Sequence, residues 1–179
     1  MRKLKLEELG RISIDEFKNS LKIPVTVILD DIRSLNNIGS VFRTADAFRI
    51  EEIHLCGITA CPPHREIHKT ALGATESVAW KYYENIISSV KELKDSGYII
   101  CGIEQTTESI DIEELDINIK QKIAIIFGNE VNGINDSIIG MLDQCVEIPQ
   151  FGTKHSLNIS VCAGIILWEF FKKFRILIE

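Results

Sequence analysis

Residues 148–170, IPQFGTKHSLNISVCAGIILWEF, constrain the fold more than any other stretch. Pro149 and Gly152 interrupt regular structure. From Leu157 onward, Ile159, Val161, Cys162, Ala163, Ile165, Ile166, Leu167 and Trp168 then occupy almost every direction around a helix. A surface helix needs one apolar stripe, so a helix apolar all round demands two packing surfaces. One is the sheet of its own domain. The other is either the same helix of a second copy across a two-fold axis or a further layer of a monomer. Ser156 is placed to cap this helix, with Asn158 in its first turn, and the free N–H groups of a helix start favour an anionic ligand group.

The rest of the chain supplies the sheet. Residues 23–30, IPVTVILD, are a β-branched apolar run ending in acids, which predicts a buried strand. Residues 50–57, 98–104, 122–130 and 145–149 read the same way, with a further strand near 78–82. Helical spacing covers 14–22, 38–48, a short piece before Gly73, 85–94 and 134–142, while TTESIDIEELD reads as loop and short helix. Within 38–48, Ile38, Val41, Ala45 and Phe48 share one stripe and Arg43 falls nearly opposite it. Asn36 or Asn37 can cap this helix, and Gly39 lets something approach its backbone closely. Strands alternating with helices predict an α/β domain over residues 23–179, a mostly parallel sheet with helices on both faces, preceded by a short arm of residues 1–22. Ligands of such sheets bind beyond the carboxyl ends of the strands. Three polar loops follow strands, at 30–37, 128–133 and 149–156, and are expected to converge.

Composition narrows the function classes. No apolar run approaches the roughly 20 residues of a membrane span, and MRKLKLEELGRISIDEF lacks a signal-peptide core, so the expected address is cytoplasmic with no membrane partner. The five cysteines form no CxxC pair and read as small buried hydrophobes. His64 and His68 lack an acidic partner at zinc-hydrolase spacing, so no metal is expected. Neither GxGxxG after the first strand, nor GxxxxGK[ST], nor a GxSxG elbow is present, which removes the main support for dinucleotide, P-loop and serine-hydrolase chemistry. Net charge is −6, and Glu104, Glu108, Asp111, Glu113, Glu114 and Asp116 supply the whole excess without a base among them. A nucleic-acid face must therefore be local, either the arm (Arg2, Lys3, Lys5, Arg11, Lys18, Lys22) or the group Arg33, Arg43 and Arg49.

Three motifs then carry a resemblance. Asn37-x-Gly39-x-x-x-Arg43 in NIGSVFRTADAF, Phe127-Gly128-Asn129-Glu130-x-x-Gly133, and Ile148-Pro149 through Ser156-Leu157-Asn158-Ile159-Ser160 are similar, in order, to the motifs of the SpoU (TrmH-like) branch of the SPOUT RNA methyltransferases, and HKTALGATESV resembles that family's intervening segment. The resemblance spans roughly residues 25–170. It implies a homodimer, a C-terminal trefoil knot, S-adenosylmethionine as methyl donor and an RNA ribose 2′-hydroxyl as acceptor. It places the cofactor against Ile103, Glu104, Phe127, Gly128, Asn129, Gly133, Ile148, Pro149, Ser156, Leu157 and Asn158, with Gly128 admitting it for want of a side chain and Ile148 and Leu157 enclosing the adenine. Arg43 acts at the ribose or its phosphate, Asn37 holds Arg43, and Glu130, Ser156 and Asn158 position polar groups or brace the loops. Arg49-Ile50 departs from the glycine that many relatives carry after Ala-Phe. A short arm in place of a separate RNA-binding domain favours tRNA over rRNA. The alternative is a catalytically inactive RNA-binding or assembly protein on the same fold.

Overall fold

The β-branched runs form the middle layer of the structure, a computed structural model that describes residues 1–179 apart from the side chain of Leu6. Seven strands, β1 (Ile23–Asp30), β2 (Ile50–Cys56), β3 (Ala79–Tyr83), β4 (Tyr98–Ile103), β5 (Ile110–Asp111), β6 (Lys122–Phe127) and β7 (Gln144–Glu147), make one sheet in the order β3-β2-β1-β6-β4-β7-β5. Every pairing is parallel, a stricter arrangement than the mostly parallel sheet expected. The central strands are buried on both faces, which is why they carry continuous apolar runs.

Seven helices cover the sheet: α1 (Ile14–Asn19), α2 (Leu35–Ala47), α3 (Arg65–Ala71), α4 (Ala74–Ser77), α5 (Ile86–Asp95), α6 (Asp136–Ile139) and α7 (Ile159–Phe174). Successive strand residues point to opposite faces. Val25, Val27, Leu29, Ile123, Ile125 and Phe127 accordingly meet α1–α4 and α7, while Ile28, Ala124 and Ile126 meet α5 and α6. No helix among the described residues is long and apolar enough to cross a membrane.

α7 resolves the all-round apolar pattern into two faces. Ile159, Ala163, Ile166, Leu167, Phe170 and Phe174 are buried, whereas Val161, Ile165 and Trp168, spaced by four and three residues, are 52%, 37% and 44% exposed. Trp168 also joins Phe48 and Phe171 in an aromatic cluster, with Phe48 and Phe171 centroids 4.9 Å apart.

Four local expectations need correction. α2 begins at Leu35 and is capped by Ser34, whose side chain accepts from the Asn37 N–H at 3.3 Å, so Asn36 and Asn37 lie in its first turn. α7 is capped by Asn158, which accepts from the Ser160 N–H at 2.9 Å; Ser156 lies two residues too early to reach it. The acidic segment contains no helix. Its Ile110 and Asp111 instead pair with Val146 and Glu147 as the edge strand β5. The helix expected over 134–142 shortens to α6, because Asn135 caps only at Asp136 and Gly140 ends it.

Candidate functional site

β6 lies at the point where the strand order reverses, between β1, from which the chain runs outward to β2 and β3, and β4 on the other side. Beyond the carboxyl ends of β4, β6 and β7 lies a cavity of about 600 Å³, within the range of about 300–1,000 Å³ usual for small-molecule sites. Its wall comes from the loop after β4 (Ile103, Glu104, Gln105), the loop after β6 (residues 127–133), the loop after β7 and the start of α7.

Side-chain-to-backbone bonds hold these loops to one another. In the loop after β6, Asn129 and Gly133 exchange backbone hydrogen bonds, both 2.9 Å. The Asn129 Oδ1 accepts from the Val131 N–H at 2.9 Å and the Asn132 N–H at 3.3 Å, while its Nδ2 donates to the Asp31 carbonyl at 2.7 Å. Asn129 thus closes its own loop and ties it to the end of β1. The Glu104 carboxylate accepts from the Ile134 N–H at 3.0 Å and the Gln105 N–H at 2.9 Å, and Gln105 Nε2 donates to the His155 carbonyl at 3.3 Å. Glu104 therefore braces two loops.

Gly128 is also required by the protein's own backbone. A Cβ there would lie 2.2–2.3 Å from the Gly133 C and O atoms and the Ile134 N, all backbone. The missing side chain admits the loop's own return strand. Gly133, at φ 69°, supplies the left-handed turn that brings that strand back.

α2 presents its first turn to the cavity mouth. Asn37 Nδ2 donates to Glu130 Oε1 at 3.5 Å, and Asn158 Nδ2 donates to Asn37 Oδ1 at 3.3 Å, so Asn37 touches both the loop after β6 and the start of α7. Gly39 permits this placement, since a Cβ there would stand 2.1 Å from Thr70 Oγ1 and 2.3 Å from the Ile67 carbonyl. The close approach that the glycine suggested is α3 crossing α2, and Thr70 secures it by donating to the Asn36 carbonyl at 3.1 Å.

Most of the residues singled out in the sequence come together. Ile103, Glu104, Phe127, Gly128, Asn129, Glu130, Gly133, Ile148, Ser156, Leu157 and Asn158 all line the cavity, and Asn37 reaches its edge. Arg43 and Pro149 are not part of that lining; Arg43 stands exposed further along α2. Glu147, Gln150, His155 and Cys162 line the cavity without having been singled out. Cys162 was detectable, because it stands one helical turn from the cap Asn158.

The chemistry of the wall is one-sided. Three carboxylates, Glu104, Glu130 and Glu147, face one imidazole, and Ile103, Phe127, Ile148 and Leu157 supply apolar surface. A ligand with a flat apolar ring system and a positive centre fits such a wall. Burial first, and then Glu104, pushes the Cys162 thiol up to about 11, so it stays protonated and is not a nucleophile at neutral pH. No group of three or more His, Cys, Asp or Glu side chains suited to a metal ion exists among the described residues.

Comparison with known proteins agrees with this geometry. Residues 24–168 match the model of the SpoU rRNA Methylase family. The chain is 32% identical over 155 residues to a 23S rRNA (guanosine-2'-O-)-methyltransferase of Neisseria meningitidis serogroup B, covering 87% of this chain and 61% of that protein. It is 30% identical over 151 residues to a tRNA (guanosine(18)-2'-O)-methyltransferase of Borreliella burgdorferi, covering 84% of this chain and 67% of that one. The chain thus spans somewhat under two thirds to two thirds of these relatives' length. The crystal structure of an AdoMet-bound rRNA methyltransferase from Sinorhizobium meliloti superposes with a TM-score of 0.78 over 86% of this chain and 61% of that one; at 23% identity this shows a shared fold.

Proposed function

We propose, from the premise that this chain belongs to the SpoU rRNA Methylase family, that it transfers a methyl group from S-adenosylmethionine to a ribose 2′-hydroxyl of RNA. One observation carries the reading: loops that follow three adjacent strands enclose a single cavity, and two of them reach Asn37 on the helix that bears Arg43. Bound S-adenosylmethionine supplies an activated methyl on a positively charged sulfur.

The residues of the chain do the rest. Ile103, Phe127, Ile148 and Leu157 offer apolar surface to the adenine, and the carboxylates of Glu130 and Glu147 favour the positive charge. Glu104 contributes the shape of the wall through its two backbone bonds. Methyl transfer is an in-line displacement, so the remaining task is to place an oxygen and stabilise its developing charge. Arg43 suits that task because guanidinium stays charged and grips phosphate or alkoxide oxygens in a fork. Its role is electrostatic, with base action held as the alternative. Asn37, held between Glu130 and Asn158, sets the helix that carries Arg43. The Ser156 hydroxyl makes no protein hydrogen bond among the described residues and is available to the ligand.

A homodimer through Val161, Ile165 and Trp168, a cytoplasmic address and a trefoil knot belong to the same proposal. The knot is supported by β4 lying between β6 and β7, which requires the chain leaving β6 to pass β4. Between the two RNA classes named for the relatives, tRNA is the substrate we place first, supported by the tRNA-modifying relative being the one more fully spanned. The test is incubation with labelled S-adenosylmethionine and, separately, total tRNA and rRNA. Label in the ribose of tRNA is expected; RNA retained without transfer in either arm would make this an inactive RNA-binding protein. Arg43→Ala should lower transfer by about 10²–10³-fold with S-adenosylmethionine affinity unchanged.

A further inference from the structure

A second cavity, of about 240 Å³, opens between α3, α4 and the edge strand β3. Its volume falls below the roughly 300–1,000 Å³ of sites for drug-sized ligands, which leaves room for one flat ring system. The half-buried indole of Trp80 and the rings of Pro62 and Pro63 form apolar walls, and His64, His68 and Glu76 bring polar groups to them. RNA bases that leave their stack are held in just this way, against an aromatic face with hydrogen bonds to their edges.

The polar groups select among the bases. Glu76 is exposed and its carboxylate makes no hydrogen bond or ion pair among the described residues, and a carboxylate only accepts. His64 Nδ1 accepts from the Glu66 N–H at 3.2 Å, so its ring proton sits on Nε2 and that atom donates. One donor and a two-oxygen acceptor match the edge of guanine, whose O6 accepts while N1–H and the amino group donate side by side. Adenine, cytosine and uracil present no such row of one acceptor followed by two donors.

The surroundings suit a polyanion. Arg65 and Lys69, one turn apart on α3, are exposed; Arg65 makes no ion pair among the described residues, and Lys69 makes only a loose one to Glu66 at 3.9 Å. The far end of α3 is anchored through Thr70 to the Asn36 carbonyl, next to Asn37. Seven helical residues span about 10 Å, so the cavity lies within a few nucleotides' reach of the methyl-transfer site along a single strand. We propose that this cavity takes an unstacked guanine of the RNA substrate, a few nucleotides from the ribose that is methylated, with Trp80 as stacking surface and Glu76 as the specificity-determining acceptor. This rests on the RNA-methylation reading above.

The sequence contains two tryptophans, so Trp168→Phe leaves Trp80 as the sole indole reporter. With S-adenosylmethionine present, GMP, AMP, CMP and UMP are titrated into that protein and Trp80 fluorescence is followed after inner-filter correction. Saturable quenching by GMP in the millimolar range, and weaker quenching by the other three, is the expected result. Glu76→Gln replaces one acceptor by a donor and should weaken GMP by about 5- to 150-fold, the loss expected of one bidentate base contact. In the methyl-transfer assay the same variant should raise KM for RNA and leave kcat unchanged. Equal quenching by all four nucleotides, no saturable quenching, or a Glu76→Gln protein indistinguishable in both assays overturns the proposal. Failure of every RNA to accept a methyl group would instead overturn the activity itself, so the two failures are separable.

Discussion

Gly128→Ala tests whether the cavity is built by the protein or shaped around its ligand. The added methyl would sit 2.2–2.3 Å from three backbone atoms, Gly133 C, Gly133 O and Ile134 N. No rotamer change can relieve backbone contacts that short, so the loop of residues 129–133 must open. Opening breaks the two 2.9 Å hydrogen bonds between Asn129 and Gly133, each worth about 0.5–1.5 kcal/mol. Overpacking adds about 1–3 kcal/mol. A total near 4 kcal/mol corresponds to a fall in Tm of roughly 8–16 °C for a chain of this size. The decisive measurement is calorimetry of the ligand-free variant, followed by titration with S-adenosylmethionine. Both a large fall in Tm without ligand and loss of binding are expected. A variant that melts like the wild type yet fails to bind would show that the glycine serves the cofactor, and a variant that does neither would refute the geometry outright.

Three further outcomes follow from the packing. Gly39→Ala sets a Cβ 2.3 Å from the Ile67 carbonyl at the α2–α3 crossing, and should cost about 1–3 kcal/mol in urea denaturation and slow methyl transfer by tilting Asn37. Asp30, buried at the end of β1, has its carboxyl pushed up to about 6, first by burial and then by Asp31. The folded state therefore keeps a proton that the unfolded state has lost, so stability falls as pH rises from about 4 to about 6, by about 3 kcal/mol; Asp30→Asn should gain on the wild type by that amount at pH 7 in paired denaturation curves, and no gain would refute the linkage. Trp168→Glu puts a charge among Val161, Ile165 and Phe48 on the exposed side of α7, and sedimentation velocity is expected to report a dimer for the wild type and a monomer for the variant.

The sequence made the sheet legible because burial on both faces writes itself into composition. β1 was marked out to the residue by IPVTVILD, and β6 by the run from residue 122, although the strand expected to reach residue 130 ends at Phe127. β5 was not, since Ile110 and Asp111 sit in an acidic run and become a strand only through partners Val146 and Glu147, 36 residues away. The cap of α7 failed for another reason. Ser156 and Asn158 are both good capping types, and only the backbone path out of β7 decides between them. Arg43 was placed on the exposed side of its helix by spacing alone, and it is there.

The candidate site was legible as loops and illegible as joints. Gly128, Asn129 and Glu104 stood out as motif or loop residues, but their physical work is done across the fold: Asn129 holds the Asp31 carbonyl 98 residues earlier, and Glu104 holds the Ile134 N–H 30 residues later. Each of these side chains satisfies a backbone group that its own loop leaves unpaired. The shape of the cavity therefore does not come from the preference of any one loop. It comes from a chain of contacts in which β1's end, the loop after β6, the loop after β4 and the approach to α7 are joined in turn, through Asn129, Glu104 and Gln105. Opening one link releases groups in two loops at once, and damage at Gly128 should for that reason be felt at Asn37, which contacts the same loop through Glu130 and never touches the glycine.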